Sequence, residues 1–149
     1  MNKVKVDYNI IPIEDVKRKH DGHWFDESNK GFFGSRWDDT AYTLTGGLYA
    51  YFVSSEICSD EVRKYSVRRV NMRNGQFSTP YPDEDIFGFQ KFASKKQAIK
   101  ALKNYLVAVD VKVELKAWLV GELEFVQKYS RVALDVREKE IMEELEKLS

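Results

Sequence analysis

The sequence predicts an α+β fold: an antiparallel β-meander of about five strands packed by a capped helix, with a long C-terminal helical extension. Three observations predict it. Alternating apolar and polar residues punctuated by hairpin dipeptides fill much of residues 3–79, a capping box opens an amphipathic segment at Ser94, and no proline follows Pro82. A period of two belongs to half-buried strands, and a spacing of three to four belongs to helices. The expected organisation is a compact α+β domain over residues 1–107 and a helical extension over 108–149, either part of the same unit or an oligomerisation arm.

Residues 3–11, KVKVDYNII, alternate as a strand does, and Pro12 ends it because proline has no N–H for a ladder. Residues 13–20, IEDVKRKH, read as a short helix or turn closing at Gly22. Residues 23–42, HWFDESNKGFFGSRWDDTAY, hold six aromatics among Asp26, Ser28, Asn29, Gly31 and Gly34, which is turn chemistry. A short helical piece held down by its aromatics is expected there. Trp24, Phe25 and Phe33 are expected to fill the core, with Arg36 held by Asp26, Asp38 or Asp39, which leaves Phe32 and Trp37 for a surface.

Residues 40–57, TAYTLTGGLYAYFVSSEI, read as two antiparallel strands joined at Gly46-Gly47. Residues 63–73, RKYSVRRVNMR, alternate with Tyr65, Val67, Val70 and Met72 inward, and the change of phase at Arg68-Arg69 predicts a bulge. Asn74-Gly75 is a strong hairpin signal, QFST is the return strand, and Pro80 and Pro82 end it. Ser94 reads as an N-cap, with Gln97 completing the box. Ala98, Ile99, Leu102, Tyr105, Leu106 and Val109 then follow at helical spacing with lysines opposite, so this helix should cover one face of the sheet.

Val109 to Lys116 alternate like a strand, but Leu119, Leu123, Val126, Ile141, Leu145 and Leu148 keep helical spacing, and the prediction is helix from about Asp110 to Lys147. At about 1.5 Å per residue that is roughly 55 Å, longer than such a domain is wide. It must break near Gly121 or Ser130, or project and pair with another helix, as in a coiled-coil homodimer.

At 149 residues the chain suits one domain with a real core, and 43% hydrophobic content excludes a disordered chain despite 32% charge. Zero net charge removes any overall preference for nucleic acid or anionic membrane. Charge is nevertheless uneven. Arg63, Lys64, Arg68, Arg69 and Arg73 lie without an acid in 63–73, as do Lys91, Lys95, Lys96, Lys100 and Lys103 in 91–103, with Asp83-Glu84-Asp85 between. The single Cys58 forbids an internal disulfide and fits a reducing cytoplasm. No apolar stretch follows a basic start and no apolar run approaches membrane-spanning length, so neither a secretory leader nor a membrane contact is expected.

Chemistry-bearing patterns are weak. His20 and His23 form an H-x-x-H, with Gly22 between them and no further His or Cys nearby to complete a zinc site. The acid pairs Asp26-Glu27 and Asp38-Asp39 sit in turn-like sequence, where carboxylates are ordinarily solvated. Cys58 has Glu56, Asp60 and Glu61 around it, which opposes thiolate formation. No nucleophile elbow, P-loop or dinucleotide fingerprint occurs. No catalytic residue, metal or cofactor is therefore assigned. The candidate binding residues are Phe32, Arg36, Trp37, Arg63, Arg68, Arg69 and Arg73, since aromatic and arginine side chains are the usual interface anchors. Exposed Arg63, Arg68 and Arg73 beside Tyr49 or Tyr51 would suit a sheet that stacks bases and holds phosphates.

Between residues 11 and 101 the chain carries, in order, HWFD, FFGSR, DT, GGLYAYFVSSE, RKYSVRRVNMRNGQFST and FQKFASKKQAIKAL. This pattern resembles a family of small, uncharacterised phage-encoded proteins. The resemblance implies a compact α+β unit in a phage or prophage setting, hence the cytoplasm of the host cell, and carries no catalytic assignment. The chain departs from the pattern after about Asn104. The resulting expectation is a phage-type accessory protein, acting non-enzymatically as an inhibitor or modulator, including counter-defence, by binding a host or phage protein. The alternative is a nucleic-acid-binding domain using the basic strand 63–73.

Overall fold

The computed structural model describes residues 8–19, 34–57, 61–78, 90–128 and 132–149. They divide into two compact units, residues 1–109 and 110–149. In the first unit β1 (Tyr8–Pro12) leads directly into α1 (Ile13–Lys19). The strands β2 (Arg36–Trp37), β3 (Thr40–Leu44), β4 (Tyr49–Ile57), β5 (Arg63–Asn71) and β6 (Phe77–Ser78) follow, and then α2 (Lys95–Ala108). The second unit holds α3 (Val111–Lys128) and α4 (Val132–Lys147). The α+β arrangement is the one the sequence predicts: all strand pairs are antiparallel and the order is β1-β3-β4-β5-β6.

The short strand β2 pairs with the far half of β4, so β2 and β3 occupy one lane of the sheet. Trp37 pairs with Ser54 and Tyr42 with Tyr51, so four residues, 38 to 41, span an interval of two on β4. This irregularity falls at Asp38-Asp39. The Asp38 N–H donates to the Val53 carbonyl at 2.9 Å, and the Ile13 N–H donates to the Asp39 carbonyl at 2.8 Å, tying the start of α1 to the sheet.

β4 is buried from Tyr49 to Glu56, with only Ile57 exposed. A strand buried without alternation needs cover on both faces, and the strand registers sort the cover by face. On one face Ala41, Ala50, Phe52 and Val70 meet Ile13 and Val16 of α1, with Ile11, Trp37 and Met72 packed around them. On the other face lie Tyr51, Val53 and Val67, and α2 lies against β4 and β5 there. The Tyr51 and Tyr105 rings meet edge to face at 5.7 Å, and Ala98, Leu102 and Leu106 of α2 are buried.

Two-sided cover explains the change of phase in 63–73 and corrects the expected bulge. The β4–β5 register runs uninterrupted from Tyr49↔Asn71 to Ile57↔Arg63. Val67 and Val70 simply lie on opposite faces, both buried. The turns also differ in detail. The Gly47 N–H donates to the Leu44 carbonyl at 2.8 Å, which centres that turn on Thr45-Gly46, with Gly46 at φ +74° in place of a Gly46-Gly47 centre. The Asn74-Gly75 signal lies inside a four-residue loop closed by Asn71 N–H to the Gln76 carbonyl at 2.9 Å. Asn71 Oδ1 accepts from Arg73 N at 2.9 Å and Asn74 N at 3.3 Å, and this side chain organises the loop.

The Ser94 cap is present, while the Gln97 side chain reaches back to the N–H of Ala93, one residue before the cap, and not to that of Ser94. Ser94 Oγ accepts from Gln97 N at 3.2 Å, and Gln97 Oε1 accepts from Ala93 N at 3.3 Å. In the second unit Asp110 caps α3, its Oδ1 accepting from Lys112 N at 2.9 Å, so the alternating run after Val109 is helix and not strand. Gly121 lies inside α3, and the predicted long helix is two helices, one ending at Lys128 and the next beginning at Val132, with Ser130 outside the described residues. α3 and α4 fold back on each other around buried Leu119, Val126 and Ile141, flanked by Leu115, Trp118, Leu123, Leu145 and Leu148. Of the two expected outcomes, a broken helix or a single projecting one, the structure has the first, and the break is not at Gly121. Among the described residues no helix is long and apolar enough to cross a membrane.

Candidate functional site

The aligned ends of β2, β4 and β5 place Arg36, Ser55 and Tyr65 side by side on the α2 face, because Arg36 pairs with Ser55 and Ser55 with Tyr65. Arg63 lies two residues before Tyr65 on the same face. Lys95, the first residue of α2, closes the group. Together with Trp37, Val53 and Ser54 they line a hollow of about 200 Å³. Arg63 Nη1 donates to Ser55 Oγ at 2.8 Å, which fixes the guanidinium. Lys95 Nζ pairs with Asp38 Oδ1 at 3.0 Å, with the lysine side chain half exposed, so this bridge positions more than it stabilises. Arg36 is exposed and makes no ion pair among the described residues. Of the three expected partners of Arg36, Asp26 lies outside the described residues, and Asp38 and Asp39 do not hold it: Asp38 spends its carboxylate on Lys95 and on the Asp39 N–H at 2.9 Å.

Behind this hollow, on the opposite face of the same strands, lies a buried polar network. Arg68 Nε donates to Ser54 Oγ at 3.1 Å, Ser54 Oγ donates to Glu56 Oε1 at 3.1 Å, and Arg68 Nη2 reaches Glu56 Oε1 at 3.5 Å. Glu56 Oε2 is buried with no hydrogen-bond partner. Burial therefore pushes the Glu56 carboxyl above its ordinary value, and the attraction of Arg68 only partly opposes it. Burial likewise lowers the Arg68 guanidinium, with Glu56 opposing. Gln90 closes the network with φ +55°, in the left-handed region that few non-glycine residues adopt. Its N–H donates to Ser66 Oγ at 2.7 Å and its Nε2 to the Glu56 carbonyl at 3.1 Å.

The candidate binding residues are therefore scattered. Arg36, Trp37 and Arg63 come together at the hollow. Arg68 is only 2% exposed, which corrects its expected place on the surface: it is an inward position of β5 committed to Glu56 and Ser54. Arg69 lies 4.0 Å from the centre of the Tyr49 ring, a cation–π contact on the α2 face. Arg73 is exposed in the β5–β6 loop. The basic strand thus forms no continuous cationic surface. Phe32, the aromatics Trp24, Phe25 and Phe33 expected in the core, His20, His23, Asp26, Cys58 and the acids Asp83-Glu84-Asp85 lie outside the described residues.

Sequence reading missed Lys95, Ser55 and Tyr65 as site members, and Glu56, Ser54 and Gln90 as a network. Lys95 reads as one of several lysines on the polar face of a helix. Its position directly after the cap, on the first turn of the helix above β4 and β5, is what separates it from the rest. The Ser54-Ser55-Glu56 run inside an otherwise apolar strand was a usable signal, since buried polar groups on a central strand must find partners.

A sheet covered on both faces, with Arg36, Arg63 and Lys95 lining a hollow at one end of its central strands, defines a small α+β protein. Residues 9–103 match a family of unknown function, DUF7447, and the chain belongs to that family. No curated protein and no solved structure matches the chain.

Proposed function

We propose that the protein acts by binding a macromolecule through the corner formed by β2, the ends of β4 and β5, and the start of α2. The observation that carries this reading is the convergence of Arg36, Arg63 and Lys95 on one hollow, with no acid among the described residues that line it. Arginine in a fixed fork beside hydroxyl donors is suited to hold an anionic group of a partner. An accessory role in a phage or its host, as an inhibitor or modulator, is the biological form of this reading, and its support is the sequence resemblance. A host or phage protein with an acidic or phosphorylated segment fits the corner. Nucleic acid gains from the same observation, although the surface is this corner and not the whole strand 63–73.

Self-association through the C-terminal hairpin belongs to the same proposal. Its support is the exposure of Val113, Val120, Phe125, Val136 and Met142 on α3 and α4. Sedimentation of the full chain with a labelled single-stranded oligonucleotide, from about 50 to 200 mM salt, tests both points. Co-sedimentation that weakens steeply with salt and is lost in Arg36→Glu supports the nucleic-acid form. No co-sedimentation at the lowest salt removes that form and leaves the protein partner. A monomeric mass at every concentration removes the homodimer.

A further inference from the structure

Deepening that reading and resting on it, we infer that the hollow takes a phosphomonoester, the phosphorylated end of a nucleic-acid strand. Charge is the first argument. Arg36, Arg63 and Lys95 line the hollow, and among the described residues Asp38 is the one carboxylate paired with them, so three cations less one acid leave a surplus of two positive charges there. A phosphomonoester carries about −1.5 to −2 at neutral pH, whereas each internal phosphate of a strand carries one negative charge. The surplus matches the terminal group.

Donor geometry is the second argument. Arg63 spends Nη1 on Ser55 Oγ and keeps the rest of its fork, while Arg36 has no ion-pair partner among the described residues. A guanidinium offers five N–H donors in a planar arrangement that matches phosphate oxygens in pairs. Ser55 Oγ accepts from Arg63, so its own proton is available to donate. Tyr65 is a further lining residue, and its side chain carries a hydroxyl able to donate. These side chains stand on paired strands and a capped helix, so little ordering is required when the anion arrives.

Size is the third argument. Pockets that enclose a whole small ligand run to about 300–1,000 Å³. A hollow of about 200 Å³ admits a charged group and leaves the remainder of the ligand on the rim, as the end of a chain requires. The half-buried Tyr65 ring lines the hollow and gives the terminal base a stacking surface.

The test compares 5′-phosphorylated and 5′-hydroxyl forms of one single-stranded oligonucleotide, labelled at the 3′ end, by fluorescence anisotropy with the full chain at about 150 mM salt. The phosphorylated form is expected to bind at least tenfold more tightly. Arg36→Ala, Arg63→Lys and Lys95→Ala should each shrink that ratio towards one, while Lys103→Ala leaves it unchanged. Because Arg36 is exposed, its variant folds even where a change at Arg63 does not. Equal affinity for the two ends overturns the inference and leaves macromolecular binding standing. Binding of neither form overturns it together with the nucleic-acid form of the function. A phosphoserine peptide that binds as tightly as the phosphorylated oligonucleotide, and is weakened by Arg36→Ala, overturns the nucleic-acid assignment.

Discussion

The two units bury their apolar residues in different ways. In residues 1–109, helices on both faces of one sheet leave β4 buried along nearly its whole length. In residues 110–149, two helices share a single seam around Leu119, Val126 and Ile141, while Val113, Val120, Phe125, Val136 and Met142 stay exposed. A layer enclosed between two others cannot relax when a side chain is removed, whereas a seam between two helices can slide and close. The cost of a cavity depends on that freedom as much as on the atoms removed. Phe52→Ala should therefore cost about 3–5 kcal/mol, and Ile141→Ala about 2 kcal/mol, at the low end for its class. Urea unfolding followed by tryptophan fluorescence and helical circular dichroism measures both. Equal losses from the two substitutions would break the comparison.

Within the sheet unit itself, the Glu56–Arg68 network is the polar exception, and it has a pH signature. Glu56 Oε2 lies buried without a partner, and burial raises its carboxyl above the ordinary value of 4.5. A carboxyl whose folded pKa is raised is held more tightly by a proton in the folded chain than in the unfolded one. Its contribution to stability is thus fully present below the ordinary value and is lost as pH rises through the folded value. Stability of the native protein should fall, relative to Glu56→Gln, as pH is raised from about 4.5. Parallel stability curves for the two proteins would show that Arg68 and Ser54 fully compensate the buried charge.

The elements were legible wherever local chemistry decides them. Pro12, the Ser94–Gln97 box and the 3-to-4 spacing after Leu115 each act within a few residues, and the structure places a strand end, a helix cap and two helices there. What stayed hidden depended on which face of the sheet is covered. Val67 and Val70 look out of phase only on the assumption of one buried face. Arg68 looks like a solvent position for the same reason, although it is enclosed with Glu56. The hollow was half legible. Arg36, Trp37 and Arg63 were singled out by residue type, but their meeting with Lys95 depends on the packing of α2, which no local pattern reports.

The smallest effects give the sharpest contrast, because one substitution should have opposite signs in the two units. At Gly47 a Cβ would lie 2.9 Å from the Leu44 carbonyl oxygen, a backbone atom fixed by the turn hydrogen bond at that same pair. The turn must open to admit it, so Gly47→Ala should destabilise by about 1–3 kcal/mol, the usual cost of forcing an extra carbon into a filled space. At Gly121, inside α3, a Cβ would meet nothing within 4 Å. There the glycine only adds freedom to the unfolded chain, and Gly121→Ala should stabilise by about 0.5–1 kcal/mol. Thermal melts of the two variants beside the native chain decide the matter. A loss of stability at Gly121 would mean that its bare backbone face is already in use, which is what close approach of a second helix across α3 would produce, and that result would turn attention to the mass of the protein in solution.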